Sequence, residues 1–531
     1  MERLRLYAQS IPITLDSWIG AFVGILLVRI LFEQFSSFRP QHFILIDLPT
    51  IIHYGVSFLA VVVVVMIILI LFTKTSLQEV SAISIFGFMV ILIPPIIDLI
   101  AGGVGGYQMS YIFVTWKELL TRFFTFFGGH INSGITLGIQ IELALVIIFC
   151  YIYTYTATKN VVRAIGAAFS FYFIIFFLSS MPSFVALFLE PSNEPLTSVV
   201  RSLASSNIIQ NNIHPDFSAS SLGLVNLGFN KMMLGVGTII LTVSSFVLFF
   251  LEDKKKLTAL IKNCRPERII HMLLLFVFGS SLASGEWFNS WIDVQSYVLA
   301  LLAFTWAAMF SICQNDIHDE KIDTISNPNR PLVTKELSKK DLETASKIFL
   351  GLAILSAYAS SHYVLFFTCL FVVVYFIYSN PPLRLKRVPI LSSFLISVAC
   401  LSVLMAGFFL INPDKNIVAF PPRLVLAVLI FYTFISNFRD IKDVEGDRAM
   451  GVKTLPVLFG VKKAKKLIAG TGFILFLLIP LYLKSYFLVL PALATGLLSS
   501  YFITTEDYRE WKVFLTYLIF FVLLIGTVFY R

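Results

Sequence analysis

Two short acidic segments decide the fold of this chain: NDIHDEKID at residues 315–323 and RDIKDVEGD at residues 439–447, here called the first and second acidic motifs. Each motif places three aspartates at positions i, i+3 and i+7; these are Asp316, Asp319 and Asp323, then Asp440, Asp443 and Asp447. On a helix this spacing puts three carboxylates on one face, where like charges a turn apart repel each other. Such a face is costly unless cations bind to it. The two motifs therefore predict the two halves of one metal site, and a solvated helix end is the alternative for either motif alone.

The composition places these motifs in a membrane protein. Hydrophobic residues make up 57% of the 531 residues and charged residues only 13%, with a mean hydropathy of +0.86. Soluble domains carry about 25% charged residues, so we expect an all-α polytopic membrane protein. The net charge of +9 does not indicate nucleic acid, because the basic residues gather in loops between apolar segments. They indicate membrane orientation and contact with anionic lipid head groups.

Apolar segments of bilayer length divide the chain into two parts. The second part is predicted to contain nine spanning helices, near residues 269–286, 293–313, 342–361, 363–379, 389–411, 420–438, 465–483, 485–503 and 511–530. The first part is predicted to contain about six more, near residues 16–35, 51–73, 79–101, 134–157, 161–189 and 232–251. A basic segment at residues 252–268 separates the two parts. We therefore expect a multi-span domain at residues 1–258 and a second domain at residues 259–531.

The distribution of basic residues predicts the orientation. Lys and Arg are abundant in alternate loops of the second part, whereas the loops around Trp287, His362 and Asn412 carry few. By the positive-inside rule the basic loops face the cytoplasm. Both acidic motifs adjoin basic loops. We therefore expect an integral protein, of the cell (plasma) membrane, with both motifs on the cytoplasmic side.

The first part contains ionisable residues within or near its apolar spans, namely Arg29, Asp98 and Glu142. An unpaired charge there costs about 2.5–3.5 kcal/mol on insertion scales. These side chains are expected to be paired or near an interface, or else to form a second substrate or proton site. The prolines at 94–95 and the glycine-rich run at 102–106 predict a break in the third span. The function of this part stays open between a second enzyme, a lipid-binding module and a scaffold.

The second part can be interpreted chemically. Mg²⁺ takes oxygen ligands and is typically held by a few carboxylates together with substrate phosphates, so two carboxylate faces could hold one diphosphate through metal ions. Corresponding aspartates of the two motifs are separated by a constant number of residues, which predicts a pseudo-repeated bundle around a central cavity. The candidates for neutralising a leaving diphosphate are basic residues in SNPNRP, YSNPPLRLKR and GVKTLP, namely Arg330, Arg384, Lys386 and Lys453. Each of them could instead be a topology charge.

These segments together resemble the signature regions of the UbiA superfamily of intramembrane prenyltransferases, over roughly residues 265–531. The resemblance implies a nine-helix bundle that binds a polyprenyl diphosphate, Mg²⁺-dependent ionisation of the allylic carbon–oxygen bond, and capture of the carbocation by an aromatic or lipid acceptor. By motif match one metal is implied at Asn315, Asp316, Asp319 and Asp323, and another at Asp440, Asp443 and Asp447. By the same match Asp316, Asp319, Asp440 and Asp443 are implied as catalytic, and Arg330, Tyr378, Lys386 and Lys453 as attending the diphosphate or the reacting carbon.

Two features qualify the resemblance. Many relatives place Asn three residues after the last Asp of the first motif, whereas here Ser326 occupies that position and Asn327 follows. The second motif is more similar to the branches that make archaeal-type ether lipids, tocopherol-type quinones or chlorophyll than to the hydroxybenzoate branch. This similarity favours quinone, ether-lipid or related isoprenoid lipid biosynthesis. The alternatives are a same-fold transferase of phosphoribosyl or haem-farnesyl type and, from another class, a transporter. A transporter would not need paired carboxylate triplets beside Arg/Lys loops.

Overall fold

The computed structural model describes residues 2–36, 48–101, 115–128, 135–189, 195–212 and 221–529. Within these residues the chain is built from helices, with no strand, and the expected all-α class is confirmed. Fourteen of the described helices are long and apolar enough to cross a membrane. Six of them precede residue 254 and eight follow it. The protein is therefore an integral membrane protein, while the expected count of nine spans in the second part stays a prediction.

The described chain falls into two compact units, one formed mainly by residues up to Lys254 and one mainly by residues from Lys255 onward. The division into domains with separate functions stays a prediction. The helices of the first unit are α1 (Glu2–Ser10), α2 (Leu15–Ser36), α3 (Leu48–Thr73), α4 (Leu77–Phe88), α5 (Ile93–Ile100), α6 (Trp116–Phe124), α7 (Leu137–Thr158), α8 (Val161–Ser179), α9 (Met181–Leu189), α10 (Pro195–Ser205), α11 (Asn207–Asn212) and α12 (Ser221–Glu252).

The third predicted span of the first unit is interrupted but not ended by its prolines. A 3₁₀ segment, Met89–Leu92, joins α4 to α5, and Pro94 and Pro95 lie in the first turn of α5. Proline is tolerated there because the first helical N–H groups have no intrahelical partner. The glycine-rich run at 102–106 lies outside the described residues.

The second unit begins with a short basic helix and contains the long helices that carry the acidic motifs. Its helices are α13 (Lys254–Lys262), α14 (Pro266–Ser281), α15 (Trp291–Ser326), α16 (Lys339–Ser360), α17 (His362–Ser379), α18 (Leu391–Ile411), α19 (Pro422–Ile435), α20 (Val444–Ala449), α21 (Leu455–Phe459), α22 (Val461–Tyr482), α23 (Val489–Thr504) and α24 (Glu510–Phe529), with 3₁₀ turns at Leu385–Arg387, Ile417–Ala419, Ser436–Ile441 and Tyr486–Leu488.

Two glycines let α14 and α18 pack with their backbones in contact. A Cβ atom on Gly279 would lie 1.9 Å from Leu404 O, and one on Gly407 would lie 2.0 Å from Phe276 O. Any larger residue at either position would push the helices apart. This contact fixes α14, and with it the Arg265 turn that precedes α14, against the bundle.

The length of α15 positions the first acidic motif. About 20 residues suffice to cross a bilayer, whereas α15 has 36. Its C-terminal turns, which carry residues 315–323, can therefore extend beyond the apolar layer. The first motif lies on one continuous helix, as its spacing predicts.

The second acidic motif does not form the continuous helical face that its spacing predicts, and that prediction is wrong. α19 ends at Ile435, the 3₁₀ turn Ser436–Ile441 follows, and α20 starts only at Val444. A tertiary contact accompanies the break. A Cβ atom on Gly446 would lie 2.7 Å from Ile322 O of α15, so the second motif is packed directly against the helix that carries the first.

Candidate active site

The first acidic motif is buried and neutralised by cations of the chain itself. Asp316 Oδ1 accepts hydrogen bonds from Arg330 Nη1, at 2.8 Å, and from Arg265 Nη2. Asp316 Oδ2 accepts one from Asn263 Nδ2 at 2.8 Å. Arg330 Nη1 also donates to Asp323 Oδ2. Asp316 therefore ties the turn before α14 and the loop after α15 to α15 itself.

Asp319 gathers two further cations from the loop after α17. Its Oδ1 accepts hydrogen bonds from Arg384 Nη2, at 2.8 Å, and from Lys386 Nζ. Arg384 Nη2 also donates to His318 O at 2.9 Å, which fixes the guanidinium against α15. Lys386 is buried. With Arg265 and Arg330, the three carboxylates of the first motif thus face four cations.

The second acidic motif lacks such compensation. Within the described residues, the carboxylates of Asp440, Asp443 and Asp447 form no ion pair. Asp443 Oδ1 accepts one hydrogen bond, from Asn327 Nδ2, at 2.8 Å. Burial, followed by the charges of Asp440 and Asp443, raises the pKa of Asp447 to about 8. The raised pKa means that Asp447 holds its proton more tightly than a free carboxyl does, and a cation bound beside it would favour the ionised form.

The fold brings the two motifs together, as their common spacing predicts. Asn327 Nδ2 donates to Asp323 Oδ1 at 3.1 Å as well as to Asp443 Oδ1. Ser326 Oγ donates to Asp443 O at 3.3 Å and accepts from Gly446 N at 3.0 Å. One amide and one hydroxyl, side by side after the first motif, therefore join it to the second.

Lys386 also connects the motifs through its charge. It is paired with Asp319, yet it lies close enough to act electrostatically on Asp440 and Asp447. A single ammonium group thus faces carboxylates of both motifs. A polyanion entering between the motifs would meet Lys386 at the centre of the site.

The remaining predicted residues divide into two groups. Tyr378, near the end of α17, lies within electrostatic reach of Asp319 and Asp440, and Asn315 Oδ1 accepts a hydrogen bond from Ser379 Oγ at 3.2 Å. The end of α17 is thus close to the first motif, which begins at Asn315. Lys453 is exposed after α20 and forms no hydrogen bond or ion pair with any residue that the structure describes. The structure does not bring Lys453 into the cluster.

Sequence reasoning missed Asn263 and Arg265, which contact Asp316 directly. Arg265 counted only as one basic residue of the segment before the second part. The Arg-Pro pair at the start of α14 was the available signal, because proline at the first helical position fixes a turn. Asn327 was also left out of the predicted ligands, although it joins the motifs.

Sequence reasoning also missed an ion cluster behind the second motif. Glu510, at the start of α24, accepts a hydrogen bond from Arg268 Nη2 at 2.9 Å and pairs with Lys442 Nζ. Lys442 lies between Asp440 and Asp443 in sequence but is held by Glu510 instead. The cluster anchors the motif's backbone and keeps this lysine paired away from the motif's carboxylates.

Arg439 marks the inner side of the site. Its Nε donates to Ser436 O at 3.1 Å, and its charge acts on Tyr375, Tyr378 and His271 inside the bundle. The rings of Tyr375 and Tyr378 are 6.1 Å apart between centroids. These two rings, here called the aromatic wall, therefore lie next to each other and within reach of the charge of Arg439.

The donor set suits a hard divalent cation. Carboxylate oxygens are the ligands preferred by Mg²⁺, which usually keeps several waters and binds through one or two carboxylates plus substrate phosphates. In the described part of the chain no three His, Cys, Asp or Glu side chains are grouped closely enough to hold a metal ion alone. The residues present therefore fit Mg²⁺, most directly at the uncompensated second motif.

The second part of the chain is similar to known proteins. Residues 272–525 match the model of the UbiA prenyltransferase family. The chain is 32% identical over 223 residues to naringenin 8-dimethylallyltransferase 2 of Sophora flavescens, covering 38% of this chain and 52% of that protein. It is 27% identical over 217 residues to digeranylgeranylglyceryl phosphate synthase of Thermococcus sibiricus, covering 40% and 72%.

Two further similar proteins also match only part of this chain. Chlorophyll synthase of Avena sativa is 28% identical over 225 residues, covering 39% of this chain and 57% of that protein. A solved structure of a UbiA homologue from Archaeoglobus fulgidus, bound to GPP and Mg²⁺, is 21% identical with a TM-score of 0.41, covering 51% of this chain and 98% of that one. The chain spans about half the length of the first curated relative, 52%. The second part of the chain, over residues 272–525, thus belongs to the UbiA prenyltransferase family.

Proposed function

We propose that the second part of the chain transfers a polyprenyl group from a polyprenyl diphosphate to an aromatic or lipid acceptor within the membrane, with Mg²⁺ as cofactor. One observation carries the proposal: the two acidic motifs converge through Asn327 and Ser326, with four cations of the chain at one side. The relatives are named for dimethylallyl transfer to naringenin, for an ether-lipid phosphate synthase and for chlorophyll synthase, which support prenyl transfer to either acceptor class.

The cations of the first motif are the groups that would receive the diphosphate. Ionisation breaks the bond between C1 of the prenyl group and the bridging oxygen, and the electron pair stays on that oxygen. Lys386 and Arg330 would donate hydrogen bonds to the departing diphosphate, exchanging part of their contact with Asp319 and Asp316 for phosphate oxygens. Mg²⁺, held by aspartates of the motifs, would supply the remaining positive charge.

The aromatic wall would receive the carbocation. Tyr375 and Tyr378 lie on α17, behind Asp319 and Asp440. The negative faces of aromatic rings attract a cation, and the apolar interior limits attack by water. The acceptor then forms the new bond to C1 and loses a proton. Tyr378 is thus proposed to contact the reacting carbon, as the family resemblance implies.

The site is proposed to lie on the cytoplasmic side of the cell membrane. The support is the density of Lys and Arg beside both motifs. Lys255 is exposed. A single cysteine at Lys255, or one at Lys463, should react with a membrane-impermeant maleimide added outside intact cells only after the cell membrane has been permeabilised. Labelling of Lys255→Cys from outside would reverse the proposed orientation.

The test of the activity uses the full chain purified into lipid nanodiscs. Radiolabelled geranylgeranyl diphosphate is supplied with phenolic acceptors, with glycerol-phosphate ether lipid or with a chlorophyll-type alcohol acceptor, in Mg²⁺ and in EDTA. We expect prenylated product with one acceptor class in Mg²⁺ and none in EDTA. Full turnover in EDTA, or no turnover with any acceptor of these classes, would overturn the proposal.

A further inference from the structure

The first unit contains a cavity of about 140 Å³ within its own helices. Its wall is mostly apolar and includes five phenylalanine rings, Phe58, Phe88, Phe127, Phe149 and Phe171. These rings come from α3, α4, α7, α8 and the turn after α6. Segments that are far apart in sequence therefore enclose one space, which is independent of the acidic motifs.

One side of this cavity is charged. Arg29 of α2 and Glu142 of α7 both line it, with Arg29 Nη1 3.3 Å from Glu142 Oε2. Arg29 Nη1 also donates to Ile91 O at 2.6 Å, and its Nε lies 3.4 Å from Glu33 Oε2. The guanidinium stands 5.7 Å from the centroid of Phe58. A fixed ion pair thus forms the polar end of an aromatic pocket.

Glu142 lines the cavity and is the more exposed of the two glutamates that contact Arg29. Its side chain is 16% exposed, against 6% for Glu33, although both interact with Arg29. Because Glu142 lines the cavity, this exposed surface is available to a molecule inside it. A hydrogen-bond donor at that point would satisfy the carboxylate, and a hydroxyl group could at the same time accept from the arginine.

The charges also restrict what can bind. Arg29 already contacts two carboxylates, Glu33 and Glu142, and its Nη1 also donates to Ile91 O, so its charge is largely satisfied and does not favour an anionic head group such as a phosphate. Charged side chains in a membrane span are costly and mark functional sites when they face a cavity. A neutral donor is the chemistry that this end accepts.

The size and the wall define the apolar part of the ligand. An engineered cavity of about 150 Å³ holds one benzene molecule, so this cavity is large enough for one six-membered ring. Offset and edge-to-face contacts with aromatic walls favour an aromatic ring over an aliphatic one. We propose that the first unit is a binding site for the hydroxylated aromatic ring of a phenol-headed or quinol-headed lipid, with the ring hydroxyl on Glu142 and Arg29.

The test measures binding of tritiated 4-geranylphenol to the full chain in nanodiscs by scintillation proximity. Val146→Phe fills the cavity, because Val146 lines it, and Ile148→Phe is the matched control on the same helix, with a side chain 52% exposed on the outer surface. We expect a binding component that Val146→Phe removes and Ile148→Phe retains. Loss in both variants, or retention in both, would overturn the proposal. Measuring this difference separates the cavity from any binding of the phenol at the acidic motifs.

Two matched comparisons test the chemistry without changing the shape of the cavity. The first comparison uses 4-geranylanisole, which lacks the hydroxyl donor of 4-geranylphenol. In the binding component that Val146→Phe removes, the anisole should bind at least about tenfold more weakly than the phenol, which is the scale of a hydrogen bond to a charged group. Glu142→Gln should reduce the preference for the phenol over the anisole while leaving the affinity for the anisole unchanged. Equal affinity for the two ligands in the wild type, or equal affinity of 4-geranylcyclohexanol and 4-geranylphenol, would contradict the proposed ligand class.

Discussion

The two acidic motifs share one spacing and differ in their electrostatic state. In the first motif, Arg265, Arg330, Arg384 and Lys386 neutralise three buried aspartates. In the second motif, the carboxylates have no ion pair among the described residues, and the one lysine within the motif is held by Glu510. Motifs that look equivalent in sequence are therefore prepared for different tasks.

This difference suggests how the site would change on binding substrate. Under the proposed function, the cations held by the first motif would bind phosphate oxygens, and the carboxylates of the second motif, which have no ion pair among the described residues, would bind a metal. Binding a metal diphosphate would exchange aspartate–cation pairs for phosphate–cation and aspartate–metal contacts. Because the cations are already in place, little reorganisation is needed when the leaving group develops charge.

The largest effect is expected from removing a carboxylate of either motif. Asp316→Asn and Asp440→Asn should each lower the turnover of prenyl transfer by about a thousandfold or more, because Asp440 would be lost as a metal ligand and Asp316 as the carboxylate that holds Arg330 in place. Product formation from labelled geranylgeranyl diphosphate measures the effect. If only one of the two variants lost activity, the motifs would not form one site.

Stability should distinguish the motifs where activity does not. Asp316→Asn leaves Arg265 without its carboxylate, and breaking a buried ion pair costs about 3–5 kcal/mol, so its apparent Tm in EDTA should fall. Asp447→Asn should keep or raise the Tm.

The stability expected of Asp447→Asn follows from the direction in which the pKa of Asp447 is shifted. Its pKa is raised to about 8 in the folded, metal-free protein, so its charge destabilises the fold at pH values above its unfolded pKa, fully so above about pH 8. Replacing Asp447 by Asn removes this destabilisation, and the resulting increase in Tm should grow from about pH 4 to pH 8. A fall in Tm for Asp447→Asn similar to that for Asp316→Asn would remove the contrast between the motifs.

A smaller effect is expected from the cations. Lys386→Met and Arg330→Met should lower turnover about a hundredfold, the scale observed when a preorganised charge-stabilising group is lost. Arg387→Met is the matched control, because Arg387 follows Lys386 directly and is exposed. Unchanged turnover in both Lys386→Met and Arg330→Met would assign these cations to membrane orientation only.

The smallest effect is expected from the link between the motifs. Asn327→Ala removes hydrogen bonds to Asp323 and Asp443 and should lower turnover about tenfold, since hydrogen bonds to charged groups contribute about 1.5–3 kcal/mol. Asn329→Ala, in the same loop and exposed, should have no effect. Equal turnover of the two variants would mean that the motifs are held together without Asn327.

The sequence predicts the site better than it predicts the local structure around it. The aspartate spacing indicates one helical face, and α15 has it. In the second motif the packing of Gly446 against Ile322 accompanies a break into 3₁₀ and α segments. Spacing along the chain contains no information about that contact, because it depends on which helix lies opposite.

The pairing of charges is also invisible in sequence. In the sequence, Arg265 and Lys442 are each one of several basic residues in a basic segment. Only the structure shows that Arg265 pairs with Asp316 and that Lys442 pairs with Glu510. Asn327 lies one position later than the asparagine of many relatives, and the sequence alone leaves its role open. The loop conformation compensates for that displacement and places its amide between the motifs.

The most direct test of the difference between the two acidic motifs is a measurement of Mn²⁺ binding by electron paramagnetic resonance. Mn²⁺ serves as a spectroscopic substitute for Mg²⁺ and is added to the full chain without diphosphate. The aspartates compared are those at the third position of each motif, Asp323 and Asp447. We predict that Asp447→Asn weakens Mn²⁺ binding at least about tenfold, because a carboxylate ligand is lost, while Asp323→Asn changes it little, because Asp323 is already paired with Arg330. Equal loss in the two variants, or loss in Asp323→Asn alone, would contradict the conclusion that the second motif is the one prepared for metal.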